Sequence, residues 1–304
     1  MPIIIPKGLP AYKVMANEKI FVMDSDRAGK QDIRPIEIAI VNLMPTKEVT
    51  EAQLVRLLSN SPLQINITLI KMATYTSTHT SDDHMSRFYC TLEEAKKKKF
   101  DGMIVTGAPV ENMPFEEVKY WKELTEIIDF AEDHVTSTIY ICWGAQAALY
   151  YQYGINKKPL PEKLFGIFET KAVVENDMLL KGMNDEFNIP HSRHTTIDED
   201  AVYKCKELKV LAVSDKAGIC IAKRHNNKSF YFTGHAEYDR NTLLTEYERD
   251  LAKGEKIHAP ENYFKGDDKH ISWSWRSTAN LLFYNWLNYY VYQITPFDIN
   301  DINK

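Results

Sequence analysis

The chain has 304 residues, and its content of 44% hydrophobic and 26% charged residues is typical of a globular protein rather than a disordered one. Lysine and arginine total 37 against 42 aspartates and glutamates, and the net charge of −5 argues against nucleic-acid binding through bulk positive charge. No apolar run reaches the roughly 20 residues of a membrane span, and the first residues lack the basic and apolar regions of a secretory signal.

Apolar residues along the chain switch repeatedly between strand and helix periodicity. In chain order they predict a strand over 36–43, a helix over 48–60, a strand over 63–70, a short helix after Thr91 with a capping box to Glu94, a strand over 102–106, a helix over 115–134, a strand over 138–142, a helix over 143–153, a strand over 229–233 and a helix over 241–252. This alternation predicts an α/β fold, with a parallel or mostly parallel sheet and helices on both faces. Ligands of such sheets bind at the carboxyl ends of the strands.

Cysteine usage indicates reduced thiols. Cys90, Cys142, Cys205 and Cys220 are spread along the chain without a CxxC pair, so neither a zinc site nor a disulfide framework is indicated. A cytoplasmic protein is therefore expected, with no bound metal.

Cys142 stands between a predicted strand and a predicted helix, which is the layout of a nucleophile elbow. The helix N-terminus would favour the thiolate, and the backbone N–H of Trp143 would face an oxyanion formed on an attacked carbonyl. Gly144 supplies a small residue after the turn, but Tyr140 stands where an elbow usually has glycine. From this element alone, a buried inert cysteine and a nucleophile stay equally open.

His235 and Glu237 follow the predicted strand over 229–233, in a turn that Gly234 opens. A general base needs a third group to fix its tautomer and stabilise the imidazolium, and a carboxylate two residues away can supply it. Together with Cys142 they form a candidate Cys-His-Glu triad. Its chain order is that of class I glutamine amidotransferases, which this part of the sequence resembles in layout.

Long segments over nearly the whole chain resemble the homoserine O-acyltransferase family of methionine biosynthesis. They are Arg34-Pro35-Ile36, Asn42-Leu43-Met44-Pro45, residues 57–64, 101–109 and 134–138, Cys142-Trp143, Pro190-His191-Ser192-Arg193, Thr233-Gly234-His235, Glu237-Tyr238-Asp239 and residues 285–293. The resemblance implies an amidotransferase-like (flavodoxin-like) fold and a single domain over 1–304. Its core would span about 36–250, with N- and C-terminal extensions packed on it. The resemblance also implies a homodimer.

The same resemblance implies acyl transfer in two half-reactions, with L-homoserine and acyl-CoA as substrates and no cofactor. Cys142 would take the acyl group from the thioester, and His235, oriented by Glu237, would then activate the γ-hydroxyl of homoserine. The oxyanion donors would be the backbone N–H of Trp143 and the ammonium of Lys47. Without the resemblance, Lys47 reads as an ordinary exposed lysine at the start of a helix.

Four further residues are assigned through the resemblance. Lys163, Ser192 and Arg249 match the family's substrate contacts, and a planar guanidinium suits a carboxylate, although Arg249 could also form a surface ion pair. Glu111 occupies a position where members with glycine accept succinyl-CoA. A glutamate there would fill the space of the succinyl arm and repel its carboxylate, so the sequence predicts acetyl-CoA as donor and leaves succinyl-CoA as the alternative. Without the resemblance, Glu111 is a solvated loop residue.

Two other functions remain open at this point. A cysteine-dependent amidotransferase or hydrolase would use the same triad with ammonia or water. A non-enzymatic redox sensor of similar fold would be built around Cys142 alone, and would need neither His235 and Glu237 nor Arg249.

Overall fold

The computed structural model describes residues 3–18, 22–23, 34–75, 80–266 and 270–302. Within these ranges, twelve strands form one sheet: β1 (Ile3–Ile4), β2 (Val22–Met23), β3 (Ile36–Val41), β4 (Ile65–Ile70), β5 (Tyr89–Cys90), β6 (Phe100–Val105), β7 (Val135–Ile141), β8 (Lys157–Ala172), β9 (Glu186–Ile197), β10 (Leu208–Ser214), β11 (Gly218–Arg224) and β12 (Ser229–Phe232). A separate hairpin pairs β13 (Phe264–Lys265) with β14 (His270–Ile271).

The α-helices are α1 (Pro10–Asn17), α2 (Lys47–Leu58), α3 (Asp82–Phe88), α4 (Leu92–Ala95), α5 (Trp121–His134), α6 (Trp143–Tyr153), α7 (Glu199–Lys204), α8 (Thr242–Ala252) and α9 (Arg276–Asn285). Short 3-10 turns cover Phe115–Glu117, Met178–Leu180 and Ile299–Asp301, and a π-helical segment, Trp286–Tyr292, continues α9. In the described part of the chain, no helix is long and apolar enough to cross a membrane.

The sheet is parallel in one half and antiparallel in the other. The parallel half runs in the order β2-β1-β4-β3-β6-β7-β12, with β5 beside β4, and the antiparallel half continues through β11, β10, β8 and β9. Strands β3, β6, β7 and β12 are parallel neighbours. The residues that follow these four strands therefore meet at one edge of the sheet.

Both faces of the parallel half are buried under helices. Alternate side chains of β3 point to opposite faces, since Ile38 and Ile40 pack in the cluster with α2 and α9, while Ala39 and Val41 pack in the cluster with α5 and α6. Such two-sided burial explains why the parallel strands read as continuous apolar runs. These buried strands form a rigid base for the carboxyl edge of the sheet, where the residues after β3, β6, β7 and β12 meet.

The predicted α/β fold is confirmed, and most predicted elements end within a few residues of the observed ones. Thr91 and Glu94 form the predicted capping box. The prediction of one helix over 115–134 is wrong. Val118 is extended there, and this break places the Phe115 ring against Trp121 and Tyr150, with ring centroids 5.4 and 4.7 Å away. The antiparallel half, between residues 157 and 224, was not predicted.

The chain ends pack on the sheet. Strand β1 lies between β2 and β4, and Trp286 lies over the sheet, where its Nε1 donates to Ser137 Oγ at 3.0 Å. Gly102 makes room for this indole, because an added Cβ would lie 2.8 Å from its ring. The division into a core over 36–250 and two extensions stays a prediction.

Candidate active site

Cys142 occupies a strained backbone turn between β7 and α6. Its φ of +50° and ψ of −116° are unusual for a residue with a side chain, and its N–H donates to the Phe232 carbonyl at 2.6 Å. Gly144 is required next to this turn, since an added Cβ would lie 2.6 Å from the Thr106 carbonyl oxygen. The structure thus has the strand–turn–helix geometry of an elbow. Tyr140 fits despite the expected glycine because its ring stacks in the core on Tyr231.

His235 comes beside Cys142 because β12 pairs in parallel with β7. Its Nδ1 lies 2.6 Å from Glu237 Oε1, and both side chains are buried. The Tyr238 ring stacks on the imidazole at a centroid distance of 4.1 Å. Burial lowers the pKa of His235, but the charges of Cys142 and Glu237, with hydrogen bonds to both, raise it well above its ordinary value. These contacts therefore favour the protonated form of the His235 imidazole beside Cys142.

The loop after β6 closes over this pair. An added Cβ at Gly107 would lie 3.3 Å from both Cys142 Cβ and His235 Cε1, so only a glycine leaves ordinary spacing there. The same loop continues to Glu111. Glu111 therefore lies four positions along the chain from a glycine that packs against Cys142 and His235.

Lys47 begins α2 and is buried rather than exposed, with 7% of its surface accessible. Its Nζ donates to the carbonyl oxygens of Asn42, at 2.6 Å, and Met44, at 3.3 Å. In the described ranges it forms no ion pair with a carboxylate. Burial lowers its pKa to about 8, and the charge of Glu51 opposes that shift. An ammonium held without a counterion suits a site where negative charge develops.

A buried polar network behind Lys47 was missed by the sequence reasoning. Glu51 Oε1 accepts from Tyr89 Oη at 2.6 Å and lies 2.9 Å from His84 Nε2. Asn42 Nδ2 donates to Tyr89 Oη at 2.9 Å and to the Lys47 carbonyl at 3.3 Å. The one available signal was a carboxylate on the apolar face of α2, since Glu51 precedes Leu54 and Val55 by three and four residues.

Lys163 and Arg249 meet at one carboxylate that the sequence analysis did not single out. Lys163 Nζ lies 2.8 Å from Asp250 Oδ2, and Arg249 Nε donates to Asp250 Oδ1 at 2.7 Å. Burial raises the pKa of Asp250, but the hydrogen bonds from Lys163 and Arg249 hold it below its ordinary value. Asp250 thus holds Lys163 of β8 and Arg249 of α8 at one carboxylate.

Ser192 lies against the same helix. Its Oγ donates to Glu246 Oε2 at 2.6 Å, and Tyr238 Oη donates to Glu246 Oε1 at 2.8 Å. Because Tyr238 also stacks on His235, this contact joins the predicted substrate residues to the predicted base. Charged residues on an amphipathic helix usually face solvent, which is why Glu246 and Asp250 gave no signal.

Glu111 is bound to β9 and is not a solvated loop residue. Its Oε2 accepts the backbone N–H groups of His194, at 2.8 Å, and Thr195, at 3.2 Å, and lies 3.3 Å from Thr195 Oγ1. Thr195 Oγ1 is also 2.9 Å from Gln146 Oε1, on the helix that begins after Cys142. The carboxylate of Glu111 therefore already occupies a set of donors beside the active-site helix.

Two further features concern metal binding and the thiol of Cys220. Within the described residues, no group of three or more His, Cys, Asp or Glu is arranged to hold a metal ion. Cys220 is buried, and burial raises its pKa to about 11, so it stays a thiol at neutral pH.

The fold and the site define the class: an α/β protein of the class I glutamine amidotransferase-like fold with a cysteine at its elbow. Among solved structures, it is similar in fold to a glutamine amido transferase from Methylobacillus Flagellatus, with a TM-score of 0.52 and 14% identity over 84% of this chain and 95% of that one. A glutamine amidotransferase from Thermotoga maritima gives a TM-score of 0.51 at 11% identity, over 75% and 88% of the two chains. Identities this low show the fold alone.

The chain belongs to the homoserine O-succinyltransferase family, whose model matches residues 2–297. Its relatives include a protein of Geobacillus sp. (strain WCH70) named homoserine O-acetyltransferase, 57% identical over 98% of this chain and 99% of that protein. A protein of the same name from Acetivibrio thermocellus is 55% identical over 99% of this chain and all of that one. The predicted family is thus confirmed, while the family description and the relatives' names differ in the acyl group.

Proposed function

We propose that this chain is an acyltransferase that moves the acetyl group of acetyl-CoA to the γ-hydroxyl of L-homoserine, releasing O-acetyl-L-homoserine and CoA. The observation that carries this chemistry is the buried Cys142–His235–Glu237 arrangement at the carboxyl edge of the sheet. Full-length similarity to relatives named homoserine O-acetyltransferase supports the choice of substrates. The similarity to glutamine amidotransferases, at 11% and 14% identity, supports the fold alone.

In the first half-reaction, the Cys142 thiolate attacks the thioester carbonyl, and the N–H of Trp143 and the Lys47 ammonium stabilise the oxyanion. The first N–H groups of a helix have no partner within it, so that of Trp143 is available. The carbon–sulfur bond to CoA then breaks, and the CoA thiolate takes a proton from the His235 imidazolium. The product is an acetyl thioester on Cys142.

In the second half-reaction, neutral His235 takes the proton of the homoserine γ-hydroxyl as its oxygen attacks the acetyl-enzyme. The Cys142–carbon bond breaks and the thiolate and imidazolium are restored. Glu237 holds the imidazole orientation in both steps through the 2.6 Å contact to Nδ1. Each half-reaction thus uses the same pair in opposite protonation states.

The acceptor is a zwitterion, and the residues around α8 offer both signs of charge. Arg249 and Lys163 suit its carboxylate, and Ser192 offers a hydroxyl. Glu246, beside Ser192, offers a carboxylate for its ammonium. This mixed face supports an amino-acid acceptor rather than water.

The choice of acetyl over succinyl follows from Glu111. Its carboxylate already accepts the N–H groups of His194 and Thr195, which are the kind of donors that the distal carboxylate of a succinyl group would need. Succinyl would therefore meet a negative charge and no free donor, whereas acetyl meets neither obstacle.

The direct test is mass spectrometry of the protein after exposure to acetyl-CoA, followed by addition of homoserine. We expect one acetyl group on the peptide that contains Cys142, and its loss to homoserine. Succinyl-CoA and glutamine serve as competing substrates under the same conditions. Efficient succinyl transfer, or glutamine hydrolysis without acetyl transfer, would contradict the proposal.

We also propose that the chain acts in the cytoplasm as a homodimer. This rests on the family resemblance and the dispersed cysteines, and sedimentation analysis of the purified protein would check the dimer.

A further inference from the structure

A mostly apolar cavity of about 220 Å³ lies beside the active site, between the loop after β3 and the loop after β6. Its apolar walls include Leu43, Pro45, Val110, Val118 and Tyr120. Its lining includes none of the residues described around α8, which are Lys163, Ser192, Glu246, Arg249 and Asp250. The cavity is therefore a separate space from the proposed homoserine site.

The cavity reaches the chemistry from the side of the oxyanion. Lys47 is part of its lining, and its ammonium is the proposed oxyanion donor. Val110 belongs to the loop whose Gly107 packs against both Cys142 and His235. The cavity thus shares Lys47 with the proposed oxyanion site, and its lining includes neither Cys142 nor His235.

The cavity and the face around α8 differ in charge. The face around α8 carries the carboxylates of Glu246 and Asp250, whereas the charged residues that line the cavity are Lys47 and Lys119. Lys119 is exposed and, in the part of the chain that the structure describes, forms no ion pair. The cavity therefore suits a neutral chain that carries an anionic group at its outer end.

Two large apolar side chains stay exposed at this cavity. Tyr75 is 44% accessible and Met113 is 39% accessible, and both belong to its lining. The volume is below the range of about 300–1,000 Å³ typical of pockets for whole drug-sized ligands. An extended arm fits this space, and a bulky nucleotide must remain outside.

We propose, on the basis of the proposed function, that this cavity binds the pantetheine arm of the acyl-CoA. The thioester lies at the Lys47 end, the apolar walls cover the arm, and the phosphates lie outside near Lys119. The donor and homoserine then approach Cys142 from opposite sides. Homoserine therefore does not have to enter through the acyl-CoA site.

The test measures how S-methyl-CoA and S-methyl-pantetheine protect Cys142 against alkylation by iodoacetamide. Both analogues lack a free thiol, and the pantetheine analogue lacks the phosphates. We expect Met113→Trp, which fills the cavity, to weaken protection by both about tenfold. Lys119→Ala should weaken protection by S-methyl-CoA roughly threefold and leave S-methyl-pantetheine unchanged, as expected for an exposed charge.

Lys122→Ala is the matched control, because Lys122 is exposed three residues further along and does not line the cavity. It should leave both protections unchanged. Equal protection in the unaltered protein and in Met113→Trp would overturn the proposal, as would a Lys119→Ala effect of the same size on both analogues. If Met113→Trp fails to fold, the exposed Lys119→Ala substitution still decides.

Acetyl transfer to homoserine is measured separately in the unaltered protein. Absence of transfer with intact, cavity-dependent protection would refute the proposed function and leave the CoA site standing. Normal transfer with protection that Met113→Trp does not alter would refute the cavity and leave the function standing.

Discussion

Lys47 is buried and the side chain of Lys163 is 9% accessible, but the charges of the two lysines are balanced differently. Lys163 forms a 2.8 Å ion pair with Asp250, which also holds Arg249. Lys47 meets backbone carbonyl oxygens instead, and its pKa falls to about 8 because burial is not offset by a paired carboxylate.

This difference separates two uses of a lysine near the candidate site. A paired lysine fixes the position of its neighbours and holds charge that is already neutralised. An unpaired lysine is available to a charge that exists only during the reaction, which is the condition for differential stabilisation of a transition state. In the proposed mechanism, the two sides of Cys142 thus serve different charges, one an anion that forms and the other a zwitterion that binds.

The largest expected effect comes from removing the sulfur of Cys142, which both proposed half-reactions use. Cys142→Ala should lower kcat/KM by roughly 10⁴-fold or more, because the acyl group has no other acceptor. His235→Ala should lose nearly as much, and the double variant little more than either single one. Steady-state kinetics with both substrates checks this, and substantial turnover in Cys142→Ala would refute a covalent intermediate.

Substituting each of the two lysines tests the difference between them directly. Lys47→Ala should lower kcat roughly 10²-fold and leave the KM for homoserine unchanged, as expected for an oxyanion donor. Lys163→Ala should instead raise the KM for homoserine about tenfold, since the variant loses one of the two cations that suit the homoserine carboxylate. If both variants change the same parameter, the two lysines have the same role and the comparison fails.

Acyl specificity gives the next smaller effect. Glu111→Gly frees the N–H groups of His194 and Thr195, so the variant should gain succinyl transfer by at least about tenfold relative to the unaltered protein. Adding Thr195→Val, which removes only the hydroxyl, should reduce that gain. Competition between the two acyl-CoAs measures it. If Glu111→Gly gains no succinyl transfer, another residue determines the acyl specificity.

The smallest expected effect is a shift in pH dependence. Lys47 is charged below its pKa of about 8 and neutral above it, so kcat should fall as pH rises through that value. The charge of Glu51 raises this pKa, and Glu51→Gln should therefore move the fall to lower pH. Glu48→Gln, on the exposed side of the same helix, is the control and should leave the profile unchanged. Identical profiles in all three proteins would contradict the effect of Glu51 on the pKa of Lys47.

Local sequence patterns predicted the parts of the site that lie on single elements. Cys142 could be singled out as a candidate because an apolar strand ends there and Gly144 follows. His235 and Glu237 could be singled out because both lie in one turn. That β12 lies beside β7 is a property of the whole sheet. The long strand β8 contains charged residues and prolines and lacks a clean alternation, so the antiparallel half gave no comparable signal.

Contacts between distant residues could not be predicted in the same way. Glu51 and Tyr89 are 38 positions apart, and the burial of Lys47 depends on that network and on the loop from Asn42. The sequence also gave no reason to pair Glu111 with β9, 83 positions away. Such polar pairs are fixed by packing of whole elements, and no periodicity records them.

The positive φ of Cys142 has a consequence for how the protein can change over time. A side chain in this conformation costs roughly 1–3 kcal/mol, and alanine would carry the same cost, whereas glycine would relax it. A glycine here would therefore tend to favour folding while it ends catalysis. Selection for thermal robustness and selection for turnover act in opposite directions at this one residue, so robustness has to be gained elsewhere in the chain.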